Sequence, residues 1–136
     1  MTILGLINPG AMGASVGSAA ASSGQSVIWA SQGRSDASVQ RAIRAGLSDR
    51  GTLAALVSEA DVILSVCPPH EAENIARQVM DLGFNGLYTD ANAVSPARTR
   101  KIKDIVVSQG AGYVDGGIIG GPAWEMGCGT RLYLSG

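Results

Sequence analysis

This 136-residue sequence predicts an α/β fold with a doubly wound, mainly parallel sheet and helices on both faces. Three observations carry that expectation. Short apolar runs alternate with segments whose apolar residues recur at helical spacing, the pattern of successive strand–helix–strand units. The run at 62–67 is almost uninterrupted apolar sequence, as a strand covered on both faces requires. The first apolar run leads directly into a glycine-containing turn and then a helix rich in Ala, Ser and Gly.

Ile3–Ile7 reads as the first strand, and residues 11–23 as a helix of small side chains ending at Gly24. Residues 27–30 make a second strand. Ser35 caps a helix whose apolar positions are Val39, Ala42 and Ile43 and which ends near Gly46. Leu53, Leu56, Val57 and Ala60 fit one helical face. Pro68-Pro69 ends the strand at 62–67. Ala72, Ile75, Ala76 and Val79 then mark an amphipathic helix, with Glu71 and Glu73 in the first turn where negative charge is favoured. Leu87–Asp90 is a strand, and Ser95-Pro96 is a cap and first-turn pair. It opens a helix with Ile102, Ile105 and Val106 on one side. Residues 112–115 and 131–134 are further short strands. With no internal repeat, low-complexity tract or linker, residues 1–136 are read as one domain.

Composition narrows the function classes. Hydrophobic residues are 46% and charged residues 15%, a globular balance that argues against disorder. The formal net charge is −1 and no basic stripe is present, so nucleic acid is not an expected partner. The longest apolar stretch, around residues 60–67, is too short to cross a bilayer, and no cationic leader precedes the first strand. No membrane association is expected, and the expected location is cytoplasmic. Cys67 and Cys128 lie far apart and form no CxxC-type pair, so neither a disulfide framework nor a metal site is expected.

The chemistry-bearing segment is Asn8-Pro9-Gly10-Ala11-Met12-Gly13, which stands where a dinucleotide-binding domain carries G-x-G-x-x-G. That motif needs a tight turn, a backbone bare enough for a pyrophosphate to approach, and a helix N-terminus whose free N–H groups face the anion. Gly10 and Gly13 meet the second and third needs. Asn8 replaces the first glycine, and asparagine tolerates left-handed backbone better than most residues. Placed after a strand and before a helix, the turn reads as a Rossmann-type phosphate cradle. The plainer alternative is a tight strand–helix turn with no ligand.

NAD-preferring domains place an acid about 20 residues beyond this turn, at the end of the second strand, to hold the ribose hydroxyls. Here the region reads Trp29-Ala30-Ser31-Gln32-Gly33-Arg34-Ser35, with no acid before Asp36. Ser31, Arg34 and Ser35 suit a 2′-phosphate, with Arg34 as its charge partner. NADP is therefore the expected cofactor and NAD the second choice. A polar loop with one solvated arginine is the simpler reading of the same residues.

These motifs together resemble the N-terminal domain of the β-hydroxyacid dehydrogenase family, which includes 6-phosphogluconate and 3-hydroxyisobutyrate dehydrogenases. The family's G-x-G-x-M-G turn appears as residues 8–13, and its strand ending in a Pro-containing loop as Ser65-Val66-Cys67-Pro68-Pro69. Its D-x-S-T-x-S-P-like segment appears as Asp90-Ala91-Asn92-Ala93-Val94-Ser95-Pro96. Its D-A-P-V-S-G-G segment appears as Asp115-Gly116-Gly117-Ile118-Ile119-Gly120-Gly121. The resemblance implies hydride transfer between a nicotinamide cofactor and a small hydroxyacid or related carbonyl compound. It implies cofactor contacts at residues 8–13, Cys67, Pro68, Pro69 and Asn92, and substrate contacts at Asn92 and at the backbone of Gly120 and Gly121. Asn92 stands where the family has its substrate-carboxylate serine, and Ile119 where it has a second serine. The family's acid/base lysine sits on the first long helix of a second domain, and here no lysine follows Lys103. The resemblance thus makes this chain the cofactor half of such an enzyme.

Other polar residues have ordinary readings. His70, the only histidine, falls at a helix start with an exposed ring expected. Lys101 and Lys103 are expected to be solvated, and Cys67 inert at a buried strand end. Asp90 and Asp115 lie at strand ends and are expected to organise their loops by accepting backbone N–H bonds. Trp124, Glu125 and Met126 lie in a glycine-rich stretch and suit packing on substrate, a second domain, another subunit or a local core. Two further readings stand beside the dehydrogenase: a stand-alone NADP-binding module and a remnant that binds nothing. A small-molecule substrate is the expected partner, and apolar surface around the last strand is expected to favour self-association into a homo-oligomer.

Overall fold

The computed structural model describes residues 2–7, 11–92, 95–119 and 131–135. Seven strands form one sheet: β1 (Ile3–Ile7), β2 (Ser26–Trp29), β3 (Ser48–Asp49), β4 (Val62–Ser65), β5 (Leu87–Asp90), β6 (Gly112–Ile119) and β7 (Arg131–Ser135). Five α-helices connect them: α1 (Ala11–Ser22), α2 (Asp36–Ala45), α3 (Leu53–Glu59), α4 (Ala72–Asp81) and α5 (Pro96–Ser108). The strand order is β3-β2-β1-β4-β5-β6-β7. The first six strands are parallel, and β7 runs antiparallel to β6. The chain leaves β1 toward β2 and β3, then returns to β4 on its other side. The order reverses there, and that reversal opens a crevice at the carboxyl ends of the strands.

Side-chain alternation along the strands divides the core into two layers. Leu6, Val27, Trp29 and Leu64 point to one face and meet Ala14, Ala42, Ala45 and Leu47. Ile7, Ile28, Ile63, Tyr88 and Tyr113 point to the other and meet Leu56, Val57, Val79, Ile102 and Val106. The small residues of α1 have a geometric use. A Cβ at Gly17 would lie 2.9 Å from both Leu6 Cδ2 and Leu47 Cδ2, so glycine lets the helix close on the sheet.

Helix starts follow side-chain chemistry. Ser35, Thr52 and Ser95 each accept the N–H three residues on, capping α2, α3 and α5. Pro68 and Pro69 do end β4, but the strand stops at Ser65, and Pro69–Glu71 form one 3₁₀ turn before α4. β6 runs on to Ile119, four residues beyond its expected end, because β7 pairs with all of that extension. Ile43, expected in the core, is 65% exposed. Ser38, Ala42 and Ala45 carry the buried stripe of α2, and Ile43, turned about 100° from Ala42 and about 160° from Ala45, falls outside it.

Candidate functional site

Two groups of polar residues lie at the carboxyl edge of the sheet. The first surrounds the ends of β1 and β2. β1 ends at Ile7 and α1 begins at Ala11, with residues 8–10 between them. Asn8, Pro9 and Gly10 lie outside the described residues, as do the side chains of Ala11 and Met12. Gly13 is buried in the first turn of α1. That turn carries no acidic side chain, so nothing on the helix competes with an anion for its free N–H groups.

Beside it, a cleft of about 360 Å³ opens between the ends of β1 and β2 and helices α3 and α4. It is lined by apolar residues, among them Ala30, Leu53 and Ile75, and by the polar Gln32, Arg34 and Gln78. A cleft of this size lined by both apolar and polar groups suits a flat heteroaromatic base and its sugar. The residues present therefore fit the adenosine part of a dinucleotide.

The loop after β2 is held at several points. The Ser31 N–H donates to Asp49 Oδ1 at 3.2 Å, and the Gln32 N–H to the Gly51 carbonyl at 2.8 Å. The Arg34 N–H donates to the Ser31 carbonyl at 2.9 Å, which turns the loop back on itself. Ser35 is tied to helix capping: its hydroxyl accepts the Ser38 N–H and donates to Ser38 Oγ, both at 3.2 Å. Of the three residues expected to face a 2′-phosphate, Arg34 reaches the cleft, while the Ser31 N–H and the Ser35 hydroxyl are engaged within the chain.

The second group lies at the ends of β4, β5 and β6. Register places Ser65, Asp90 and Asp115 level on adjacent strands. Asn92 bridges them. Its Oδ1 accepts the Cys67 N–H at 2.6 Å, and its Nδ2 donates to Ser65 Oγ at 3.2 Å. Its own N–H donates to Asp90 Oδ1 at 2.9 Å. Asn92 thus clamps the loop after β4 to the loop after β5. Asp90 organises the turn, as its position at the strand end predicts. Burial pushes its carboxyl above the usual aspartate range, and neighbouring Asp115 adds to the effect.

The remaining candidates fall as follows. Burial raises the Cys67 thiol above its usual range, with its Sγ 3.7 Å from Ser65 Oγ, so it stays a thiol at neutral pH. Pro68, Pro69 and His70 are exposed. Lys101 is not simply solvated: its Nζ lies 3.4 Å from Glu73 Oε1, tying α5 to α4 at the surface. Gly120, Gly121, Trp124, Glu125 and Met126 lie outside the described residues. Among the described residues no group of His, Cys, Asp and Glu suits a metal, and no helix is long and apolar enough to cross a membrane. Sequence reading missed Asp49 and Ser65. Asp49 lies 18 residues from the loop it holds, on a two-residue strand with no periodicity to reveal it.

The family model described as the NAD binding domain of 6-phosphogluconate dehydrogenase matches residues 3–127. Among solved structures, a conserved protein of unknown function, MTH1747, described as structurally similar to 3-hydroxyacid dehydrogenases, aligns with a TM-score of 0.84 at 26% identity, over 97% of this chain and 49% of that one. Mycobacterium tuberculosis 3-hydroxyisobutyrate dehydrogenase, solved with L-serine, aligns with a TM-score of 0.85 at 18% identity, over 100% and 47%. An imine reductase from Myxococcus stipitatus aligns at 24% identity in two structures. The NAD+ complex of its V8 variant gives a TM-score of 0.83 over 100% and 47%, and an NADP+ complex gives 0.76 over 88% and 42%. The chain thus spans about half the length of the structures it matches. A comparison with curated proteins finds no match.

Proposed function

The chain belongs to the family of the 6-phosphogluconate dehydrogenase NAD-binding domain, and from that premise we propose that it is the NADP-binding portion of an oxidoreductase acting on a small hydroxyacid or related carbonyl compound. The observation that carries the choice of NADP is the cleft at the end of β2. Arg34 lines it, and no carboxylate occupies positions 29–35, where an NAD-preferring domain would hold the ribose hydroxyls.

Each segment of the site has a part in this reading. The N–H groups at the start of α1, after the turn at residues 8–13, hold the pyrophosphate. The cleft lined by Ala30, Leu53 and Ile75 takes the adenosine, and Arg34 pairs with the 2′-phosphate. Ser31 and Ser35 flank that phosphate. Residues 67–69 and Asn92 border the nicotinamide ribose, and Asn92 is the side chain assigned to a substrate oxygen. Gly120 and Gly121 offer backbone N–H groups to the same substrate. When bound, the nicotinamide supplies or accepts the hydride. We assign the proton that accompanies it to a group outside this set, since the dehydrogenases the sequence resembles carry their acid/base lysine on a second domain.

A paired titration tests the cofactor assignment. Arg34→Ala is expected to weaken NADPH by about 10- to 100-fold, the cost of losing a charge-assisted contact, while NADH binding changes little. Equal losses for both cofactors would refute the assignment.

A further inference from the structure

Asp49 is a carboxylate that the fold brings to the loop between β2 and α2, and sequence distance hides it. Register sets Asp49 beside Trp29, level with the last residue of β2. One of its oxygens, Oδ1, accepts two backbone donors: the Gly51 N–H at 2.8 Å and the Ser31 N–H at 3.2 Å. The Ser31 hydroxyl lies beside the same carboxylate, and this contact is the main reason its pKa falls below the usual aspartate range. The group is therefore ionised at neutral pH. The adjacent Arg50 directs its Nε to Glu59 Oε2 at 2.8 Å, so its strongest ion pair lies with α3 and not with Asp49. The Gln32 N–H and the Gly51 carbonyl join the two loops at 2.8 Å, which keeps the carboxylate close behind residues 31–34.

We propose that Asp49 is a specificity-determining residue that limits the preference for NADP over NAD: its carboxylate occupies the Ser31 donors that a 2′-phosphate would use, and sets a negative charge beside the phosphate's place. This inference rests on the NADP reading above. An anion already bonded to the donors of an anion site acts as an intramolecular competitor. A 2′-phosphate must displace it or lie next to it, and each option costs binding free energy. NAD carries hydroxyls at that position and meets no such repulsion. Arg34 and Asp49 therefore act in opposite senses on one loop, and the discrimination is their difference.

The test uses the full 136-residue chain and fluorescence titrations with NADPH and NADH. Asp49→Asn keeps an oxygen for the Gly51 and Ser31 N–H groups but removes the charge. Asp49→Ser is a second neutral variant with a shorter acceptor. Both are expected to bind NADPH about threefold to tenfold more tightly than wild type, as removal of a nearby surface charge allows, with NADH unchanged or weaker. The gain should shrink as salt is raised. Unchanged or weaker NADPH binding in either neutral variant overturns the role of Asp49. So does equal tightening of both cofactors. Arg34→Ala, run alongside, separates the two readings: a loss confined to NADPH keeps the NADP assignment standing even if the Asp49 variants fail. Equal loss of both cofactors, or no binding of either by wild type, overturns the assignment and the role of Asp49 with it.

Discussion

Asp90 is fully buried, and only one of its carboxylate oxygens has a partner among the described residues. Oδ1 takes the Asn92 N–H; Oδ2 takes nothing, and Asp115 stands level with it on the next strand. Desolvation leads the upward shift of its pKa, and the Asn92 bonds oppose it without cancelling it. The sign of the consequence is fixed. A carboxyl that holds its proton more tightly when folded makes stability fall as pH rises from the ordinary aspartate value, about 3.9, to the raised one. Asp90→Asn keeps an oxygen for the Asn92 N–H and removes the titration. Urea unfolding across that window should show wild type losing stability relative to the variant as pH rises. Parallel curves would refute the assignment. Asp49 and Glu73, whose carboxyls are shifted downward, lose their contributions as pH falls below the ordinary values, so their window lies on the acid side. At this scale, the loop-organising role of Asp90 was legible because an acid at a strand end before a turn has few other uses. That the Asn92 amide is spent mainly on Ser65 and Cys67 was not legible, because its partners lie 27 and 25 residues away.

Elements were legible where local chemistry punctuates the chain. Ser35 and Ser95 predicted the starts of α2 and α5, and both accept the expected N–H. β1 and β5 fall at their predicted bounds because apolar runs flanked by turn residues leave little choice of register. β3 escaped, since two exposed polar residues carry no pattern; it exists because the edge of β2 has free backbone groups to pair. The connection before β5 shows how tightly the elements are packed. A Cβ at Gly86 would run into the Asp61 carbonyl oxygen and lie 2.8 Å from Phe84 Cζ. That carbonyl also accepts the Leu87 N–H at 3.1 Å, so it cannot give way freely. Gly86→Ala is expected to cost about 1–3 kcal/mol and to lower the melting midpoint measured by circular dichroism by several degrees. A melt unchanged from wild type would show that the α4–β5 connection can relax.

The whole molecule is a sheet whose carboxyl edge gathers residues from five connections into two neighbouring sites. Its 136 residues span about half of the solved structures they match. The 136-residue chain is expected to bind NADPH, yet to show negligible turnover of hydroxyacids when nicotinamide absorbance is followed, since the dehydrogenases it resembles carry their acid/base lysine on a second domain. Robust turnover by the purified chain would overturn that division of labour. The sequence by itself determined the alternation of strands and helices, the caps and the family, because each depends on residues within a few positions of one another. Only the tertiary structure decided that Asp49 meets Ser31, that Asn92 clamps β4 to β5, and that Ser65, Asp90 and Asp115 stand level. Those contacts depend on strand order and register, and parallel neighbours in a sheet are separated in the chain by a whole helix.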